Sequence, residues 1–263
     1  FKKFFLSPIT AYYYLKSYFF SWLEKRFKLF PNYLLRAGLK NYPKYMKKYY
    51  VKIVDINSLD YSNYLTNKSN NTRKKKNHIL FIDSPGPKYR GDDLLYKSKY
   101  PFTSEKWYPA LNTFFTKIEK KLKLKILIAP HPKTKFVDRP KYLGFRKVSK
   151  KKIYDLIDNS KFIITRLSTA ISFAIVCKKP ILFIYSNELY KHKSYMSELK
   201  LFLNKTGSKA FNINENFEKL KLDGLLKINK KKYRQYKNDY ITVLNKSISN
   251  YKIILKIFNK HYK

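Results

Sequence analysis

A single cysteine, Cys177, excludes an intrachain disulfide and gives no sign of an oxidising compartment. It lies in the apolar run Ala170–Cys177, where a lone thiol reads as core filler rather than as a nucleophile. Histidine is scarce too: His78, His131, His192 and His261 are scattered, with no pair at i, i+4, so no metal-ligand cluster is expected. Nothing approaches the ~20 uninterrupted apolar residues of a membrane-spanning helix. The nearest stretch, 1–23, is broken by Lys2, Lys3, Pro8 and Lys16 and lacks the small-residue cleavage site of a signal peptide. The chain begins with Phe1 rather than Met, so upstream residues are expected. Acidic residues are the scarcest class for their type: 17 Asp and Glu face 58 Lys and Arg, a net +41. That balance favours anionic partners, whether nucleic acid, an acidic membrane surface or phosphorylated substrates. The lysines are spread along the whole chain, however, and their abundance beside Asn, Ile, Tyr and Phe also fits an AT-rich genome. Charge alone therefore assigns no function.

What is present is globular. Apolar residues make up 44% of 263, enough for one large domain or two small ones. Residues 1–66 are aromatic and basic, with Tyr12-Tyr13-Tyr14, Phe19-Phe20-Ser21-Trp22 and Tyr49-Tyr50, and Pro8, Pro31 and Pro43 divide them into expected short helices. Residues 67–77 contain no apolar side chain and read as a linker. From His78 the texture changes. Short continuous apolar runs at 79–82, 125–129, 162–165, 181–185 and 210–213 predict strands, with a further short one at 145–148. Helices are expected between them at 107–122, 151–159, 168–177 and 188–203. Strands that are apolar throughout and alternate with helices predict an α/β fold with a parallel, Rossmann-like sheet covered on both faces. Tyr233, Tyr236, Tyr240, Val243, Leu244, Ile248, Tyr251, Leu255 and Phe258 predict one long amphipathic C-terminal helix. The expected organisation is 1–77, a basic aromatic helical region and linker; 78–228, a nucleotide-binding domain; and 229–263, the C-terminal helix.

In such a sheet ligands bind beyond the carboxyl ends of the strands, and three polar segments fall there. Asp83-Ser84-Pro85-Gly86 follows the first strand, and its carboxylate is the candidate general base on an acceptor hydroxyl; an Asx-turn role is the alternative. His131 follows the second, fixed between Pro130 and Pro132, with Lys133 adding positive charge beside an imidazole suited to a phosphate oxygen. Ser168, Thr169 and Ser172 follow Thr165 at a helix start, where hydroxyls and exposed amides favour phosphate, or where Ser168 or Thr169 serves as a simple cap. Glu188, after the next strand, is placed to contact a ribose or base, or is a first-turn carboxylate favoured by the helix dipole.

The succession of His131-Pro132, the hydroxyl-rich Ser168–Ser172 segment and Lys179-Pro180-Ile181 resembles the C-terminal donor half of GT-B glycosyltransferases. The pattern is most similar to that of bacterial sialyltransferases, polysialyltransferases and Kdo transferases, and to surface-polysaccharide biosynthesis proteins of the same layout. The resemblance implies that His131, with Ser168, Thr169 and Ser172, binds the phosphate of a CMP-linked sugar. In some retaining Kdo transferases a carboxylate serves as a covalent nucleophile. The resemblance covers about residues 78–215, and residues 1–77 are too few for a complete acceptor half. Thr169 stands where the family has the second serine of its pair.

The function that follows is a metal-independent glycosyltransferase without a cofactor. It would move a sugar from a nucleotide donor to a cell-surface glycan or lipid-linked acceptor, in the cytoplasm and peripherally at the inner membrane face. A CDP-polyol phosphotransferase or a nucleotide-sugar epimerase-like enzyme keeps the fold and changes the substrate, although acids near the motifs are few for an epimerase. A non-enzymatic polyanion or nucleic-acid binder is suggested by the charge and by 25 Tyr and 20 Phe, but no recognisable nucleic-acid motif accompanies them.

Overall fold

The structure, a computed structural model, describes residues 8–27, 32–40, 52–67, 77–84, 86–87, 101–132, 140–244 and 248–261. In chain order its elements begin with helix α1 (Pro8–Arg26), strands β1 (Tyr33–Ala37) and β2 (Lys52–Ile56), and helix α2 (Leu59–Asn67). There follow β3 (His78–Ile82), α3 (Ser104–Leu122), β4 (Lys125–Ala129), α4 (Ile153–Asp158), β5 (Phe162–Thr165), α5 (Ile171–Val176) and β6 (Ile181–Tyr185). The chain closes with α6 (Asn187–Tyr190), α7 (Lys193–Thr206), β7 (Lys209–Asn212), α8 (Lys230–Tyr236) and α9 (Asn250–His261).

Five strands form one parallel sheet in the order β4-β3-β5-β6-β7. Their continuous apolar composition has a direct structural cause, because both faces are buried. Ile79 and Phe81 of β3 point into a core shared with Trp107, Leu111, Phe114, Phe115 and Ile118 of α3. Leu80 and Ile82, on the opposite face, join a second core with α4, α5 and Tyr233 of α8. Each strand thus buries alternate side chains against a different helical layer.

The joint between α3 and β4 is polar. Glu119 accepts from the Ile126 amide at 2.7 Å and pairs with Arg146 at 2.8 Å, while Arg146 also donates to Asn112 and lies 5.1 Å from the centre of the Phe115 ring. This fixes the turn at 143–146. The chain then passes β4, where Val148 makes a single parallel bridge to Ile128 in place of the expected strand at 145–148.

Two expectations are modified. The N-terminal region is helical at α1 and α2, but β1 and β2 form a separate parallel pair between them, with Arg36 opposite Asp55 in register and ion-paired to it at 2.7 Å. The C-terminal part is helical in two pieces rather than one. After α8 the chain makes a π-helical turn, Lys237–Ile241, and then leaves helical geometry at Thr242. Buried Asn57 is the reason. Its Oδ1 accepts from Thr242 Oγ1 at 2.7 Å, its Nδ2 donates to the Ile248 carbonyl at 2.6 Å, and its backbone groups pair with the Asn250 side chain. A fully buried amide has to be satisfied, and the segment that satisfies it cannot also continue a helix.

Candidate functional site

The strand order reverses at β3. The chain goes from β3 to β4 on one side and returns to β5 on the other, so the carboxyl ends of β3 and β5 flank the topological switch point where such sheets bind ligands. Hydrogen bonds knit these ends together. Thr165 Oγ1 donates to the Ile82 carbonyl at 3.1 Å, Ser84 Oγ to the Leu167 carbonyl at 3.2 Å, and Arg166 to the Ser84 carbonyl at 3.1 Å. The Asp83 amide donates to the Ala129 carbonyl of β4 at 2.9 Å. Arg166 is itself buried, its guanidinium 4.5 Å from the centre of the Phe102 ring and 5.2 Å from that of Trp107.

A cavity of about 770 Å³ opens over these strand ends, within the range of sites for small molecules. Asp83, His131, Ser168 and Thr169 all line it. Asp83 is 8% exposed, and its Oδ1 accepts from the next amide, Ser84 N, at 3.0 Å, one residue short of the contact that defines an Asx-turn. Ser168 Oγ accepts from Ala170 N at 3.3 Å, which organises the turn into α5. Helix α5 begins at Ile171, three residues later than Ser168, so the serine belongs to the approach to the helix.

Two of the sequence-derived residues turn elsewhere. Ser172, in the first turn of α5, does not line the cavity. Glu188 faces a separate hollow beside α3 and accepts from Thr103 N at 2.8 Å and pairs with Lys106 at 3.2 Å. Burial raises the Glu188 pKa, but the hydrogen bonds from Thr103 and the Lys106 ammonium outweigh it and hold the carboxyl below its ordinary range. Lys133 lies outside the described residues.

The cavity also recruits residues that sequence reasoning missed. Ser149, Lys150 and Lys151 line it. They directly follow Val148, which runs parallel to β4, so the strand-end rule that selected Asp83 and His131 would have selected them had it been applied to the expected strand at 145–148. Asp60 lines it from α2, outside the sheet domain, where no strand-end argument reaches.

Over most of its length the chain has the fold of a known polymerase. One such match is to the wall teichoic acid polymerase TagF, with a TM-score of 0.53 and 18% identity, covering 88% of this chain and 59% of TagF. KpsC of Thermosulfurimonas dismutans, a β-Kdo 2,7 transferase, superposes with a TM-score of 0.33 and 13% identity over 78% of this chain and 64% of KpsC. The chain therefore spans less than two thirds of either protein. No protein-family model and no curated protein matches it by sequence. The five-stranded parallel sheet between two helical layers is consistent with a Rossmann-like half of a GT-B fold.

Proposed function

We propose that this chain is a GT-B-type transferase that moves a sugar from a nucleotide donor, CMP-linked, to a cell-surface glycan or lipid-linked acceptor. One observation carries the reading: His131, Ser168, Thr169 and Asp83, brought from three strand ends, meet in a single cavity at the switch point of a parallel sheet. His131, Ser168 and Thr169 donate to the donor phosphate, with Lys150 and Lys151 supplying positive charge along the same wall. Glu188, in its separate hollow, is the candidate contact for the nucleoside. Asp83 takes the proton of the acceptor hydroxyl as its oxygen bonds to the anomeric carbon, and the bond from that carbon to the phosphate oxygen breaks, its electron pair leaving with the nucleotide. The likeness to TagF favours a second reading on the same site, a CDP-polyol phosphotransferase of the kind that serves teichoic acid synthesis, in which the acceptor oxygen attacks phosphorus instead.

The test is calorimetry with CMP and CDP against a random oligonucleotide. Saturable nucleotide binding is expected, with His131→Ala and Ser168→Ala each weakening it by about 1–3 kcal/mol. Asp83→Asn keeps that affinity while transfer is lost, because removing a proton acceptor raises the chemical barrier rather than weakening donor binding. A parent protein that binds only the oligonucleotide, or two variants that bind CMP as the parent does, would overturn the reading.

A further inference from the structure

The cavity contains a second carboxylate that the strand-end reasoning does not supply. Asp60 sits in the first turn of α2, which precedes the sheet domain and packs across α5, the helix that follows Ser168 and Thr169. The donor-phosphate candidates all come from the sheet, whereas Asp60 comes from the layer laid over it. We propose that Asp60 is the acceptor-binding carboxylate of this cavity, receiving a hydrogen bond from a hydroxyl of a sugar or polyol acceptor; the inference rests on the transferase reading above.

Three observations support it. Asp60 lines the cavity together with Asp83, His131, Ser168 and Thr169. Among the described residues no Lys or Arg lies within ion-pair distance of it, although the chain holds 58 of them. A carboxylate in a first helical turn is ordinarily held ionised by the helix dipole, yet burial pushes the Asp60 pKa upward. A merely dipole-complementing acid would sit in solvent; Asp60 is instead a partly desolvated acceptor facing an open volume. The groups that line the cavity with it are mixed in sign. Asp83 reaches the same cavity from the end of β3, His131 from the end of β4, and Lys150 and Lys151 from the segment after Val148. A neutral, hydroxyl-bearing ligand suits a carboxylate with no ion-pair partner among the described residues better than a phosphate, which would meet a like charge there.

The division of roles is testable without knowing the natural acceptor. The parent, Asp60→Asn and Asp60→Glu would be given a CMP-linked sugar or a CDP-polyol with increasing glycerol as the hydroxyl probe. Transferred and hydrolysed donor would be quantified by mass spectrometry, and CMP affinity would be measured in parallel. The expected result for Asp60→Asn is a CMP affinity within about twofold of the parent and a ratio of transfer to hydrolysis lower by about tenfold or more, the loss of one charge-assisted hydrogen bond. The half-saturating glycerol concentration rises while hydrolysis stays constant, and Asp60→Glu recovers part of the ratio. An unchanged ratio with unchanged CMP affinity returns Asp60 to the helix dipole and overturns the proposal. A fall in CMP affinity with an unchanged ratio overturns it as well, by placing Asp60 on the donor. A parent that neither binds CMP nor turns over either donor overturns the transferase reading first, and is recognisable because it needs no variant.

Discussion

His78, at the first position of β3, shows how one side chain at the end of the sheet opposite the cavity sets a condition on the whole domain. Its Nε2 is buried with no hydrogen-bond partner among the described residues. Burial lowers its pKa; a backbone hydrogen bond with Leu156 opposes this, and the charge of Lys179 reinforces it. Lys179 is itself buried and donates to the carbonyls of Asp158 and, at 2.8 Å, Ser160, which fixes its amino group in place. The folded chain therefore binds fewer protons at His78 than the unfolded chain does. This contribution to stability is fully present above the ordinary histidine pKa and is lost as pH falls through that value towards the folded one. Denaturant midpoints should fall between about pH 7 and pH 5 in the parent, with a shallower fall in His78→Gln; equal slopes would remove His78 as the cause. Among the residues that line the cavity, Asp83, His131, Ser168 and Thr169 were legible in the sequence because the rule that selects them concerns strand ends, and strand ends can be read from apolar runs. The directions of Ser172 and Glu188 were not legible. A helix offers several directions one residue apart, and Thr103 and Lys106, which hold Glu188, are distant in sequence.

At the scale of elements, the seam between β1 and the π-helical turn is closed by backbone contact. Leu39 N donates to the Asn238 carbonyl at 2.9 Å and Lys40 N to the Asp239 carbonyl at 2.8 Å, while Lys40 Nζ pairs with the Asp239 carboxylate at 2.8 Å. Gly38 makes this approach possible. Its φ is +77°, and a Cβ there would lie 2.6 Å from backbone atoms of Asp239 and Tyr240. Gly38→Ala should destabilise the protein by more than the about 1–2 kcal/mol that the left-handed conformation alone costs, lowering the melting temperature by several degrees. Hydrogen exchange should rise in β1 and the π-helical turn before it rises in β3 and β5. A melting temperature equal to the parent's would mean that the seam yields without cost. The five strands of the main sheet were legible because burial on both faces leaves an uninterrupted apolar signature. The pair β1–β2 was not, since Leu35 and Ile53 stay partly exposed and the flanking aromatic, proline-punctuated segments resemble helix breaks. The C-terminal periodicity held in α8, where Tyr233 and Tyr236 are buried, but not in α9, where Tyr251, Leu255 and Phe258 are exposed and Ile253, Ile254 and Ile257 are partly buried. Nor can periodicity reveal that Asn57, far away in the chain, demands the polar groups of Thr242 and Asn250.

For the whole molecule, charge and exposed rings act together. Helix α1 leaves Tyr12, Tyr13, Tyr14, Tyr18, Phe19, Phe20 and Trp22 all more than half exposed, with Lys25 and Arg26 in its last turn. No helix among the described residues is long and apolar enough to cross a membrane. Aromatic rings beside cations suit the headgroup region of an anionic leaflet, where a lipid-linked acceptor would be met. Vesicles containing acidic lipid should bind the protein, less so as salt rises. Removing residues 1–23 should weaken binding more than replacing Lys2, Lys3 and Lys16 with Gln, because the rings are lost as well; equal losses would assign the attraction to diffuse charge. The scarce acids have a different distribution from the lysines. Glu119 fastens α3 to β4, Glu188 holds the start of α3, Asp55 ties β2 to β1 and Asp239 anchors the turn after β1. Any one surface lysine has dozens of equivalents, whereas each of these carboxylates closes a joint of its own. Tolerance to substitution should therefore be lopsided by sign: lysines outside these joints and the cavity can be exchanged with little loss, whereas a change at one of these four acids breaks the connection it makes.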